Sequence, residues 1–249
     1  MRSIVAVRVG HVEGLLLAWS REHGRDLPWR RTRDPYAILV SEVMLQQTQV
    51  ARVLPRWTEW LARWPTVEAL ADTPLAEVIR AWQGLGYNRR AVSLHRAASQ
   101  VARHGWPDDL TALPGVGRYT ADAVDAFAFG RPVLPVDTNV ERVLERTGGR
   151  FGPASAQALF DLGATVCLAR VPRCGACPLA RSCPSRGRRF EPRRKQGPLA
   201  GSFRERRART LRLVAGGYDD VTALDGEAVQ SLARDGLVAL AAGRVRLPD

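Results

Sequence analysis

A chain of 249 residues, 45% hydrophobic and 25% charged, has material for one large core or two modest ones, which excludes a disordered chain. No apolar run approaches a membrane span, and the opening MRSIVAVRVGHVEG is too short and interrupted for a secretory signal, so the expected location is cytoplasmic, with no membrane partner. Lysine plus arginine number 37 against 25 acids, net +12, which favours a polyanionic partner, nucleic acid first, through counterion release.

Residues 11–104 read as helices broken by Pro and Gly. Apolar residues recur three and four apart, as in Leu75, Val78, Ile79 and Trp82, and no sustained two-residue alternation appears. Thr73, Pro74 and Glu77 predict a helix start with Pro74 at the first helical position. Inside this region SEVMLQQTQV places one acid, Glu42, among apolar neighbours and follows it with Gln46, Gln47 and Gln49. A solvated helix face would carry Lys and Glu instead. A partly buried helix with satisfied polar groups is the plain alternative to a functional site.

LPGVGRYTADAVDAFAFG sets Pro114, Gly115 and Gly117 between two helical patterns, Asp109 to Leu113 and Tyr119 to Phe129. A helix, a tight turn and a second helix leave the backbone N–H groups of Gly115, Val116 and Gly117 at a helix start, which suits a phosphate; an ordinary interhelical turn would look the same. PVLPVDTNVERVLERTG then leads an extended run into a helix. Thr138 and Glu141 fit a capping box, with Asp137 just before it. A carboxylate fixed there caps the helix and can also act electrostatically in a cleft. Asp122 and Asp125 share a helix face and compete with Glu42 and Asp137 as candidate acids.

All four cysteines fall in one short loop, Cys167, Cys174, Cys177 and Cys183, spaced C-x6-C-x2-C-x5-C with no histidine nearby. In a reducing compartment four such thiolates suit structural zinc or [4Fe-4S], and spacing alone leaves both open. Beyond them PSRGRRFEPRRKQGP is a basic Pro/Gly-rich stretch containing the chain's only lysine, Lys195. FRERRARTLRLVAGG and GEAVQSLARDG then read as helices and LVALAAGRVRLP as a β-hairpin. Two helices and a hairpin look like a winged helix, a shape used for DNA or for protein contacts.

SEVMLQQTQV, GLGYNRR, LPGVGRYTA, VDTNV and the loop ending CPLARSC occur in one order. Together they resemble the helix-hairpin-helix DNA glycosylases of the endonuclease III superfamily, and within it the MutY-type adenine glycosylases, over residues 13 to 185. The resemblance implies a mainly α fold, a six-helix barrel with an iron-sulfur domain, followed by a small winged-helix-like α+β module. The expected divisions are a glycosylase body at 1–186 with its cluster loop at 167–183, a basic linker at 187–200 and the module at 201–249. It also implies a [4Fe-4S] cluster on Cys167, Cys174, Cys177 and Cys183.

By the same resemblance Glu42 is the acid that protonates adenine at N7, and Asp137 stabilises the positive sugar that develops. Asn139 orients Asp137, and Tyr119 matches an active-site tyrosine of some MutY enzymes. Bifunctional relatives carry a lysine at that position, whose amine forms a Schiff base and cuts the strand; Tyr119 implies a monofunctional enzyme. The target base must be flipped out, and Gln46 and Gln47 match the wedge that fills the gap, with Tyr87 intercalating beside the opposing lesion. The hairpin Gly115, Val116 and Gly117 grips the backbone. The expected substrate is double-stranded DNA with adenine opposite 8-oxoguanine or guanine, the protein a nucleoid-associated monomer in base excision repair.

Three departures qualify this picture. The chain between VERVLERTGG and Cys167 is shorter than the family's usual length by one or two helices, the last 50 or so residues are too few for the usual Nudix-like domain, and GLGYNRR has Asn88 where MutY enzymes repeat tyrosine. Excision of thymine or uracil opposite guanine is therefore the enzymatic alternative. A catalytically silent mismatch-binding protein is the non-enzymatic one.

Overall fold

The computed structural model describes residues 2–191 and 197–249, with the backbone alone for 2–9. Lys195 and part of the expected linker lie outside the described residues. The chain divides into two compact units, one made of Met1–Arg33 with Asp122–Lys195 and the other of Asp34–Ala121 with Gln196–Asp249. Among the described residues the secondary structure is helical except for one short hairpin.

The second unit is built on α2 (Pro35–Leu45), α3 (Val50–Arg63), α4 (Val67–Ala71), α5 (Leu75–Trp82) and α6 (Arg89–His104). Asp34 starts α2 by accepting from the Tyr36 N–H at 3.0 Å, with Pro35 in the first turn where its missing N–H costs nothing. Every residue of α2 from Tyr36 to Met44 is buried, so the helix has no solvated face and carries no charge except Glu42. Around it Trp60 packs edge-on against Trp64 and Trp82 at 4.6 and 5.4 Å between ring centroids. The buried polar ends are matched: Trp57 Nε1 donates to Ala37 O at 2.9 Å, and Tyr36 OH donates to Trp64 O at 3.1 Å. Burial pushes the Tyr36 hydroxyl far above its ordinary pKa.

The C-terminal segment belongs to this unit. α10 (Phe203–Ala215), α11 (Gly226–Arg234) and the antiparallel pair β1 (Ala239–Ala241) and β2 (Arg244–Arg246) give the expected two helices and hairpin. Positive φ at Ala242 and Gly243 closes the hairpin in the two-residue turn that matches strand twist. Leu211, Val214, Val229, Leu232, Val238 and Val245 share one apolar cluster with Ile79 of α5 and Val92 of α6. Several of the segment's arginines are engaged within it: Arg206 with Asp225 and Glu227, Arg207 with Asp235, Arg244 with Asp219.

The other unit packs α1 (Arg2–His23), α8 (Thr138–Thr147) and α9 (Ala156–Thr165) around Leu16, Val140, Val143, Leu159 and Leu162. Asp161 of α9 is fully buried and takes Arg25 Nε at 2.6 Å and both Arg30 Nη atoms at 2.8 and 2.9 Å, which ties the segment after α1 to α9. The unit boundary falls inside α7 (Arg118–Phe127).

Three local expectations are corrected. Pro74 is the N-cap of α5 with extended ψ, not its first helical residue, because the Thr73 hydroxyl is bonded back to Ala69 O at 2.8 Å. The first helix expected for the hairpin is only a 3-10 turn, Leu110–Ala112, since Pro107 and Pro114 leave too few residues for an α-helix. Asp137 caps α8 as expected, but Thr138, the capping-box candidate, is the first helical residue and not a cap.

Candidate active site

In the second unit Glu42 is 6% exposed, in the penultimate turn of buried α2. The helix ends at Gln46, whose side-chain amide donates to Thr120 Oγ1 at 3.4 Å and so joins the end of α2 to the start of α7. Half-buried Tyr119 is the neighbour of that threonine. The two expected wedge glutamines thus differ: Gln46 is partly buried and bonded, while Gln47 is exposed with a φ of 58°. Tyr87, 42% exposed, has a φ of 47°. Side chains other than Gly, Asn and Asp rarely adopt that region.

The hairpin ahead of α7 is tightly packed. A Cβ on Gly115, whose φ is +77°, would lie 2.6 Å from the Cβ of Ser93 on α6, so only glycine fits. Val116 is buried and its N–H donates to Leu113 O at 3.1 Å, while Gly117 is exposed immediately before the helix.

In the first unit Asp137 Oδ1 accepts from the N–H groups of Asn139 and Val140 at 2.9 and 2.7 Å, and Oδ2 accepts from Asn139 Nδ2 at 2.8 Å. A carboxylate so held at a helix N-terminus is fixed in direction by the N–H groups facing it. Asn139 Oδ1 in turn accepts from Arg142 Nη2 at 2.8 Å. The same guanidinium donates to Gly163 O at 2.8 Å and to Cys167 O at 2.9 Å. A continuous run of hydrogen bonds therefore joins Asp137 to the first cysteine.

Cys167, Cys174, Cys177 and Cys183 line one cavity with Arg146, Leu162 and Val166. Burial pushes the Cys177 thiol up to about 11, and the other three cysteines add to the rise. Arg146 braces the loop by donating to Leu168 O at 2.7 Å and Ala169 O at 2.6 Å, and its guanidinium lies 3.7 Å from the Phe190 ring centroid. Among the described residues no three of these donors close to a single-ion site. Four thiolates on one zinc would stand about 3.8 Å apart, whereas a four-iron cube holds its thiolates farther apart. An all-thiolate set lining one cavity has the donor chemistry of an iron-sulfur cluster or a structural zinc.

Two residues went unread in the sequence: Arg142 in the run from Asp137 to Cys167 and, in the second unit, Arg90 of α6, which donates to the carbonyls of Val43, Met44 and Gln46. A buried arginine carries no local signature in a chain whose basic residues are arginine almost throughout.

A buried helical acid, a glycine hairpin opening a helix and an N-capping aspartate tied to a four-cysteine loop define a protein built like a DNA base-excision enzyme. Residues 40–160 match the HhH-GPD superfamily of base excision DNA repair proteins. The chain is 42% identical to an adenine DNA glycosylase of Mycobacterium tuberculosis, in an alignment that covers 94% of this chain and 92% of the relative. Its fold is similar to that of a thermostable thymine-DNA glycosylase, with a TM-score of 0.62 and 29% identity over 70% of this chain and 94% of that one. An endonuclease III in a trapped DNA intermediate shares the fold at a TM-score of 0.63 and 24% identity, over 72% of this chain and 95% of that one. The chain belongs to the HhH-GPD superfamily of base excision DNA repair proteins, in the family of the adenine DNA glycosylases. It is a DNA N-glycosylase. No described helix is long and apolar enough to cross a membrane.

Proposed function

We propose that the protein removes adenine mispaired with 8-oxoguanine or guanine from double-stranded DNA and leaves an abasic site. The observation that carries the reading is Glu42, a lone acid on a helix that is otherwise apolar and buried throughout, in a chain 42% identical to an adenine DNA glycosylase. In this reading Glu42 donates a proton to N7 of the flipped adenine, the C1′–N9 bond breaks, and water adds its hydroxyl to C1′. The proton released by water returns the acid to its starting state. Asp137, held by Asn139, faces the positive sugar. Gln47 and Tyr87 fill the gap left by the flipped base, with Gln46 anchoring the wedge through Thr120, and Gly115, Val116 and Gly117 hold the backbone.

The four cysteines hold a [4Fe-4S] cluster that shapes the loop between Cys167 and Cys183. The glycosylase body is residues 1–186, joined by the linker 187–200 to the module 201–249, and the enzyme works as a nucleoid-associated monomer in the cytoplasm. With Tyr119 at the position that carries the nucleophilic lysine in bifunctional relatives, no strand cleavage is expected.

Single-turnover assays on duplexes with A opposite 8-oxoguanine, A opposite G, T opposite G and U opposite G, followed by alkali, test this. Fastest release from A opposite 8-oxoguanine is expected, and Glu42→Gln should slow it by about 10²- to 10⁴-fold. Undiminished release by Glu42→Gln, or borohydride trapping of a covalent enzyme–DNA species, would defeat the mechanism. Similarity to a thymine-DNA glycosylase fold at 29% identity gives the second reading its support; preferential release from T or U opposite G would establish that one instead.

A further inference from the structure

Arg90 is 9% exposed and sits at the start of α6, between two turns. Its Nη1 donates to the carbonyls of Val43, Met44 and Gln46 at 2.8, 2.9 and 2.7 Å, two protons shared among three acceptors at the end of α2. Its Nη2 donates to Thr48 Oγ1 at 3.0 Å and Gly86 O at 2.9 Å, and its Nε to Tyr87 O at 3.3 Å. The guanidinium also lies 5.5 Å from the Tyr87 ring centroid. One buried cation thus ties the carbonyl end of α2 to the Gly-Leu-Gly-Tyr turn.

These two turns contain two of the three non-glycine residues with positive φ among the described residues, Gln47 and Tyr87. The third, Ala242, is in an ordinary hairpin turn. Strained backbone persists only where its surroundings over-determine it. Here each strained residue is adjacent to carbonyls that Arg90 holds: Gln46 O precedes Gln47, and Gly86 O and Tyr87 O flank and belong to Tyr87. A lysine could not do this, because its point charge reaches fewer acceptors and has no planar fork.

We propose that Arg90 is a positioning residue that locks the Gln47 turn and the Tyr87 turn into one rigid probe, so that gap filling and intercalation occur as a single preset motion. The proposal rests on the reading of Gln47 and Tyr87 as wedge and intercalator. Without the clamp each turn relaxes from its strained φ separately, and the ordering that was built in beforehand falls to the DNA complex.

The test compares Arg90→Lys, Arg90→Gln and Tyr87→Ala. Flipping is read from 2-aminopurine fluorescence at the target position opposite 8-oxoguanine, in the Glu42→Gln background so that no base is released. Turnover is read in the otherwise wild-type chain on a paired adenine and on an adenine in a single-nucleotide bulge, which has no opposing base to probe. Arg90→Lys should lower the fluorescence rise and slow the paired substrate by about 10- to 100-fold, slow the bulged substrate far less, and leave affinity for undamaged duplex unchanged. Wild-type fluorescence and rates in Arg90→Lys, or equal slowing of both substrates, would overturn the proposal. If Arg90→Gln unfolds on heating well before wild type, Arg90→Lys alone carries the comparison. A Tyr87→Ala variant with undiminished fluorescence would overturn the intercalator reading itself, whatever Arg90 does.

Discussion

Around α2 the packing is aromatic and apolar, with the Trp57 indole N–H, the Tyr36 hydroxyl and the Arg90 guanidinium all bonded to backbone carbonyls. Around α8 and α9 the ties run through arginine: ion pairs from Arg25 and Arg30 to Asp161, and charge-assisted hydrogen bonds from Arg142 to Asn139 and two carbonyls and from Arg146 to carbonyls of the cysteine loop. Both units use guanidinium groups to gather backbone carbonyls. They differ in what completes them. The two turns held by Arg90 close on protein atoms alone, whereas the cysteine loop surrounds a cavity lined with thiols. The Gln47 and Tyr87 turns are therefore held by the chain's own hydrogen bonds, whereas the cysteine loop has few regular elements of its own and would be organised by the proposed cluster.

The largest effect should come from removing that group. Cys177→Ser is expected to lose iron and acid-labile sulfide, become sensitive to proteolysis within 167–190, and release no base, while the tryptophan-rich unit around α2 keeps its near-ultraviolet circular dichroism. Retention of wild-type iron and protease resistance would show that the loop closes without this thiolate, and the contrast between the units would disappear.

Next in size is the ionic core. Asp161 is fully buried between two arginines, so Asp161→Ala leaves two cations without their counter-charge and should cost about 3–5 kcal/mol. For a chain of this length that lowers the melting temperature by about 10 °C. A loss within 2 °C would mean that water or another carboxylate replaces Asp161, and that the unit is not braced ionically.

Legibility in the sequence followed chemistry that is local. The helices of 35–104 could be read because Pro and Gly punctuate an apolar three-to-four spacing, and the hairpin at Ala242 and Gly243 because Ala-Gly sits between short alternating strands. Glu42 was legible as an anomaly, one acid where α2 carries only apolar and small side chains. The start of α8 offered two caps, Asp137 and Thr138, and only the backbone angles decide for Asp137. That Gln46 turns inward to Thr120 and Gln47 outward was not legible at all, since it depends on a partner 74 positions away. Arg90 and Arg142 were hidden for the same reason: their acceptors are backbone carbonyls, which every residue supplies.

The smallest effect, and the sharpest comparison, lies at Arg142. Its guanidinium joins Asn139 to Gly163 O and Cys167 O, so it is the first unit's counterpart of Arg90, linked through Asn139 to the proposed catalytic carboxylate Asp137 and at the other end to a cysteine. Burial lowers its pKa from the ordinary arginine value. Arg142→Gln keeps a donor that can reach Asn139 yet cannot span to both carbonyls. Asp137 keeps its backbone donors, Asn139 N–H and Val140 N–H, so its charge stays in place and only the Asn139 side chain loses direction. A change of about 1.4 kcal/mol in the barrier, roughly tenfold in kcat, is the expected loss, with KM unchanged because the guanidinium is taken up by Asn139 Oδ1 and two backbone carbonyls. A larger fall accompanied by loss of iron would mean that Arg142 acts mainly on the cysteine loop, and an unchanged kcat would mean that Asp137 is oriented by its own N-cap alone.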